Sequence, residues 1–183
     1  FKKRIIIISE NELLIEASKN FILKGYAPIN ISLIKQKKRR TFHNKNKIEL
    51  TKKLLSSIIE FRVNNNVSNS YKKESINYFF KNLNNIFQDY NYWVSYFNEN
   101  SSKFILNKNF TYILANHPAN AKGLAAKNVF KKKKVNLISF QHGVTAEISA
   151  SHNYCLSQHD SSASDVYYAF NKQAVSVARK NPF

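Results

Sequence analysis

Two short polar clusters stand where apolar, strand-like runs end, and they hold the side chains best suited to chemistry. Asn116-His117-Pro118 follows Phe110-Thr111-Tyr112-Ile113-Leu114, and Gln141-His142-Gly143 follows Val135 to Phe140. An imidazole beside an amide combines a group that titrates near neutral pH with one that both donates and accepts hydrogen bonds. Gly143 lets the backbone pass close to a ligand or take a positive φ. The plain alternative is that His142 only hydrogen-bonds its own loop. Further on, Glu147, His152, His159 and Asp160 lie in a polar stretch from Gly143 to Ser164 that is long for a simple connection. His152-x-x-Cys155-x-x-x-His159 could supply three zinc ligands, with Asp160 or Glu147 as a fourth. That spacing matches no strong zinc pattern, and loop residues are the better reading. The three glycines are far apart, so there is no Gly-rich phosphate loop, and no Gly-x-Ser-x-Gly elbow supports a serine hydrolase.

The elements that must position these clusters alternate between strand and helix. Arg4 to Ile8 is a continuous β-branched run, as in a strand buried on both faces of a parallel sheet. Asn11 or Ser9 can cap a helix over Glu12 to Leu23 that Gly25 ends. A second strand is expected over Ile29 to Ile34. A basic loop, Lys35 to Lys47, leads to two helical patterns, Ile48 to Val63 and Glu74 to Phe97, read together as an arm over about residues 48–98 that covers the sheet. A third strand within Asn109 to Ala115, a helix over Ala119 to Phe130, a fourth strand over Val135 to Phe140, a fifth over Val166 to Phe170 and a helix over Lys172 to Lys180 complete the reading. Lys131 to Lys134 sit at a helix end, where cations offset the negative end of the dipole. The fold class is α/β, a Rossmann-like parallel sheet with flanking helices and a helical arm. In such sheets the loops leaving the carboxyl ends of strands collect the ligand.

The 183 residues, 43% of them hydrophobic, suit a single domain over 1–183. With no methionine, and with the chain stopping just after a helical pattern, the sequence reads as part of a longer protein cut at both ends. A formal charge of +18 suggests a polyanionic partner. Much of that charge is lysine accompanied by asparagine, isoleucine and phenylalanine, residues of A/T-rich codons, so a merely solvated basic surface is the competing explanation. The lone Cys155 forbids an internal disulfide and fits a reducing, cytoplasmic setting. No apolar run approaches the roughly 20 residues that span a bilayer, which leaves peripheral contact with an anionic membrane as the remaining route to one.

The strand-Gln-His-Gly junction, with Val144-Thr145-Ala146-Glu147 after it and Ser164-Asp165-Val166-Tyr167-Tyr168-Ala169-Phe170-Asn171 opening a helix, resembles the glycosyltransferases of GT-B architecture that build bacterial surface polysaccharides. The likeness covers about residues 109–181. It implies that the chain is the N-terminal, acceptor-side half of such an enzyme and that a C-terminal half grips the nucleotide-sugar donor. His142 would then be the base that takes the acceptor proton, with Glu147 second. Asn116, His117, Asn120, Gln141, Gly143, His152 and Asp165 would bind substrate. No Asp-x-Asp occurs, and neither a catalytic metal nor a cofactor is expected. The partners implied are a nucleotide-sugar donor and a glycan or lipid-linked acceptor, with the protein cytoplasmic and able to lie against the inner membrane face.

Three rival functions follow from other features. A nucleotide-sugar epimerase would share the architecture, since fold does not fix function. A basic nucleic-acid-binding module would use Lys35 to Arg40 and the aromatics between Tyr71 and Phe97, although those aromatics fall at helical spacing and no sequence-specific nucleic acid is expected. A docking role for the two-helix arm, with no chemistry, is the third.

Overall fold

The computed structural model describes residues 3–34, 49–51, 53–54, 56–57, 69–141, 161 and 163–179. Their elements run β1 (Arg4–Ile7), α1 (Glu12–Leu23), β2 (Ala27–Asn30), α2 (Asn69–Phe104), a short 3-10 turn (Lys108–Phe110), β3 (Thr111–Asn116), α3 (Ala121–Lys131), β4 (Asn136–Phe140), β5 (Val166–Tyr168) and α4 (Lys172–Arg179). The chain divides into two compact units, residues 1–36 with 93–183, and residues 37–92.

The first unit is built on a five-stranded sheet in the order β2-β1-β3-β4-β5. Every neighbouring pair is parallel. Burial explains the order: Ile5, Ile6, Ile113, Leu114 and Leu137 are wholly enclosed, so the β-branched and aliphatic runs occupy the middle of the sheet. From β1 the chain steps one way to β2, and from β3 it steps the other way to β4. Right-handed crossovers therefore put α1 and α3 on opposite faces. On one face Leu14 of α1 packs with Ile5, Ile7, Leu114, Ile138 and Phe140. Elsewhere in this unit Phe130 of α3 meets Phe97 and Phe104 of α2, with ring centroids 5.3 and 6.4 Å apart. Each such buried side chain contributes about 1.5–3 kcal/mol of hydrophobic stabilisation.

Local chemistry sets the ends of the elements. Asn11 caps α1 by accepting the Leu14 N–H at 2.8 Å, and Gly25, at φ 82°, takes the left-handed turn that ends it. The second strand starts earlier than its apolar run suggests, at Ala27, and stops at Asn30. Pro28 is tolerated there because β2 is an edge strand and needs no donor on its outer side. Asn30 ends the strand because its side chain turns back to accept the Ser32 N–H at 2.8 Å. The third strand likewise runs to Asn116, one residue past the apolar stretch. No Gly or Pro interrupts residues 69–104, and α2 is correspondingly longer than its apolar periodicity alone suggests, at 36 residues.

In the second unit, the described residues between 49 and 57 are helical. Leu50 and Leu54, on those residues, and Tyr78 and Ile86, on the first part of α2, are exposed. Among the described residues no helix is long and apolar enough to cross a membrane.

Candidate functional site at the carboxyl edge

Strand order reverses between β1 and β3, and at their carboxyl ends one hydroxyl joins the two. Ser9 Oγ donates to the Asn116 carbonyl at 2.5 Å and accepts the Asn116 N–H at 2.7 Å. Such a reversal point in an open parallel sheet is where the crevice for a ligand forms. Asn116 pairs with Phe140 in the register of β3 and β4, so His117 and Gln141 are the next residues out at the same edge. The two polar clusters read from the sequence therefore begin on neighbouring strands, as expected.

The β3–α3 loop is held in a single shape. His117 has φ 48°, a left-handed conformation costly for a residue with a Cβ and one that clusters at functional sites. Asn120 locks it from both ends: its Nδ2 donates to the His117 carbonyl and its Oδ1 accepts the Gly123 N–H, each at 2.9 Å. Gly123 is obligatory, because a Cβ there would lie 2.2 Å from the Pro118 carbonyl oxygen. The result is a loop folded tightly onto the first turn of α3, with the His117 imidazole half-buried at the sheet edge.

Lys122, in that first turn, was not singled out by its sequence context. Its ammonium donates to the carbonyls of Ile31 and Ser32, past the end of β2, and lies 4.5 Å from the centre of the Trp93 ring. Burial pushes its pKa down to about 8, against the opposing pull of the Glu10 carboxylate. Glu10 in turn accepts hydrogen bonds from the side chains of Asn30 and Ser32. The signal available in the sequence was the polar run Ser9-Glu10-Asn11 at the end of the first buried strand, which by the same rule belongs to this edge.

Gln141 is enclosed, and much of its hydrogen-bonding capacity is used within the fold. Its N–H donates to the Tyr168 carbonyl at 2.9 Å, its side-chain oxygen accepts the Phe170 N–H at 3.0 Å, and its carbonyl accepts from Asn11 Nδ2 at 3.4 Å. It ties β4, β5 and the start of α1 together. His142, Gly143, Glu147 and His152, with the His152, Cys155 and His159 set, lie outside the described residues. Among the described residues no group of three or more His, Cys, Asp and Glu side chains gathers to hold a metal.

Asp165 is not brought to this edge. It precedes β5, at the amino edge of the sheet, where it pairs with Lys127 and accepts the Leu137 N–H at 2.8 Å. Burial pushes its carboxyl up, but the Lys127 hydrogen bond and charge, the Leu137 N–H and the Lys131 charge outweigh it and hold the group below the usual range.

Among the described residues, three helices that start at the carboxyl edge are capped by asparagine. Asn11, Asn120 and Asn171 accept the N–H of Leu14, Gly123 and Ala174 at 2.8, 2.9 and 2.8 Å. A cap satisfies one of the four first-turn donors, and the positive ends of the helix dipoles face the same side of the sheet. The arrangement combines polar amides, an imidazole and a positive backbone potential, which suits a hydroxyl-rich or anionic ligand. No protein-family model matches the chain, and neither a curated protein nor a solved structure matches it.

Proposed function

We propose that the chain is the acceptor-side half of a GT-B glycosyltransferase, which moves a sugar from a nucleotide-sugar donor to a glycan or lipid-linked acceptor in surface polysaccharide synthesis. The observation that carries this reading is the adjacency of β3 and β4: Asn116-His117-Pro118 and the start of Gln141-His142-Gly143 leave the sheet side by side. In the reaction, the acceptor hydroxyl attacks the anomeric carbon, the bond to the nucleotide diphosphate breaks, and a base takes the hydroxyl proton. His142 is the base in this reading and Glu147 the second candidate, since a group poised near working pH transfers protons best. Asn116, His117, Asn120, Gly143 and His152 contact the acceptor or the departing diphosphate. The α3 N-terminus offers backbone N–H groups to the charge that develops on the leaving group. The enzyme would work in the cytoplasm, at the inner face of the membrane.

An epimerase of the same architecture grips its nucleotide at the first β–α turn, through a glycine-rich loop. Here that turn is Ser9-Glu10-Asn11. It has no glycine and would set the Glu10 carboxylate near a pyrophosphate. That favours the transferase. In the enzyme carrying both halves, His142→Ala is expected to abolish sugar transfer while donor affinity and thermal stability stay within error. Undiminished turnover would remove His142 from the mechanism.

A further inference from the structure

α1 leaves part of its own face of the sheet uncovered. In the parallel register of β4 and β5, Ile138 stands beside Val166 and Phe140 beside Tyr168, so these four side chains share one face. Leu14 of α1 packs with Ile138 and Phe140 on that face, and both are buried. Val166 and Tyr168, one strand further out, are 40% and 52% exposed. Between α1 and the ends of β4 and β5 lies a groove of about 370 Å³. That volume falls at the lower end of small-molecule pockets, which run from about 300 to 1,000 Å³. A protein partner needs about 800 Å² on each side, more than one groove of this size supplies.

Helical spacing sorts the wall that α1 provides. Leu13, Ala17 and Phe21 recur every four residues as an apolar stripe, while Glu16, Asn20 and Lys24 repeat at the same interval along the exposed rim. Ala17, the small residue between two large ones, makes the recess. On the sheet side Phe140 and Tyr168 stack, their planes 14° apart and their ring centroids separated by 5.5 Å. The half-open Tyr168 ring at the end of that stack is a surface for a further ring. The rim also carries a net charge. Glu16 is paired with Lys19, whereas Lys24 is exposed and has no acidic partner among the described residues.

We propose that this groove binds a small planar aromatic anion, its ring against Tyr168 and its charge toward Lys24. A fatty acyl chain would gain from Leu13, Ala17 and Phe21, but it makes no use of the ring stack. None of the residues assigned to the carboxyl-edge site lines the groove. Gln141 nevertheless bonds the Tyr168 carbonyl and the Phe170 N–H, so a ligand in the groove is felt where β4 leaves the sheet. The occupant is therefore an effector of that edge and not its substrate, whatever reaction the edge serves.

The test is an amide chemical-shift titration of the labelled chain with 2-naphthoate, with 2-naphthol as the uncharged analogue and decanoate as the aliphatic anion. Three variants are compared with the parent: Lys24→Gln, Ala17→Leu, and Lys81→Gln as a charge-matched control on α2. Far-ultraviolet circular dichroism checks that each is folded. 2-Naphthoate should shift residues 13–24, 141 and 166–170, leave 116–123 and 131–134 silent, and bind with a Kd of about 1 mM or tighter, as suits a ligand of its size. 2-Naphthol and decanoate should each bind about fivefold more weakly. Lys24→Gln should lower 2-naphthoate to the affinity of 2-naphthol, which itself stays unchanged, a loss of the size expected for one exposed charge contact. Ala17→Leu fills the recess and should remove both aromatic ligands; if that variant does not fold, Lys24→Gln decides. Shifts centred outside the groove, decanoate binding as tightly as 2-naphthoate, equal losses in Lys81→Gln and Lys24→Gln, or no shifts at about 10 mM 2-naphthoate would each overturn the proposal.

Discussion

The two edges of the sheet are made from the same chain in alternating connections, yet they differ in what their polar groups do. At the carboxyl edge, side chains are bonded to backbone: Ser9 to Asn116, Asn120 to His117 and Gly123, Gln141 to Phe170, and Lys122 to Ile31 and Ser32. At the amino edge most charges stand in solvent, and Asp165 with Lys127 is the principal exception. The difference shows where sequence has been committed to fixed geometry. A preorganised polar edge can orient a ligand, whereas an exposed cationic edge can attract a surface without orienting anything precise.

Gly123→Ala should break the comparison most severely, because the added Cβ meets backbone at 2.2 Å and the β3–α3 loop must open. A loss of about 3 kcal/mol is expected in denaturant unfolding, the size of a bad overpacking substitution. A loss below experimental error would mean that the loop is not held in this shape.

Asp165→Ala tests the exception at the other edge. It removes hydrogen bonds from Lys127 and from the Leu137 N–H, and about 2 kcal/mol should be lost at neutral pH. Because its carboxyl is held below the usual range in the fold, the stability it adds is present above the unfolded pKa and disappears as pH falls through the folded one. Parent and variant should therefore converge in acid. A gap that persists there would assign the loss to packing.

Lys122 gives the smallest and most specific effect. Its folded pKa is about 8, lowered from 10.5, so between those values the unfolded chain holds more protons and stability rises with pH. Below that window both states are protonated and the group contributes no slope. Lys122→Met should flatten the rise between about pH 8 and 10.5, read from unfolding midpoints. Parallel profiles for parent and variant would show that the ammonium is solvated.

Much of the architecture was legible in the sequence. Buried parallel strands show as unbroken runs such as Ile5 to Ile8, and Asn11 and Gly25 mark both ends of α1 at single residues. The limits of β2 were not, because edge-strand hydrogen bonding, unlike burial, leaves no apolar run, and Pro28 reads as a breaker until the strand is known to lie at an edge. The site was half legible. The ends of β3 and β4 announce themselves in the sequence as an amide followed by a histidine after an apolar run. Lys122 does not, since its burial depends on Trp93, distant in sequence. The resemblance to GT-B enzymes puts Asp165 among the substrate-binding residues. Its place one residue before a parallel strand puts it at the opposite edge, and strand polarity alone would have indicated this.

The central claim is that the carboxyl edge is the ligand edge, and its most direct test is an amide chemical-shift titration of the labelled chain with a panel of short neutral and anionic oligosaccharides. The account predicts perturbations gathered at residues 9–11, 116–123 and 141, with the amino edge at 131–134 silent. Perturbations centred on the amino edge, or none with any member of the panel, would contradict it.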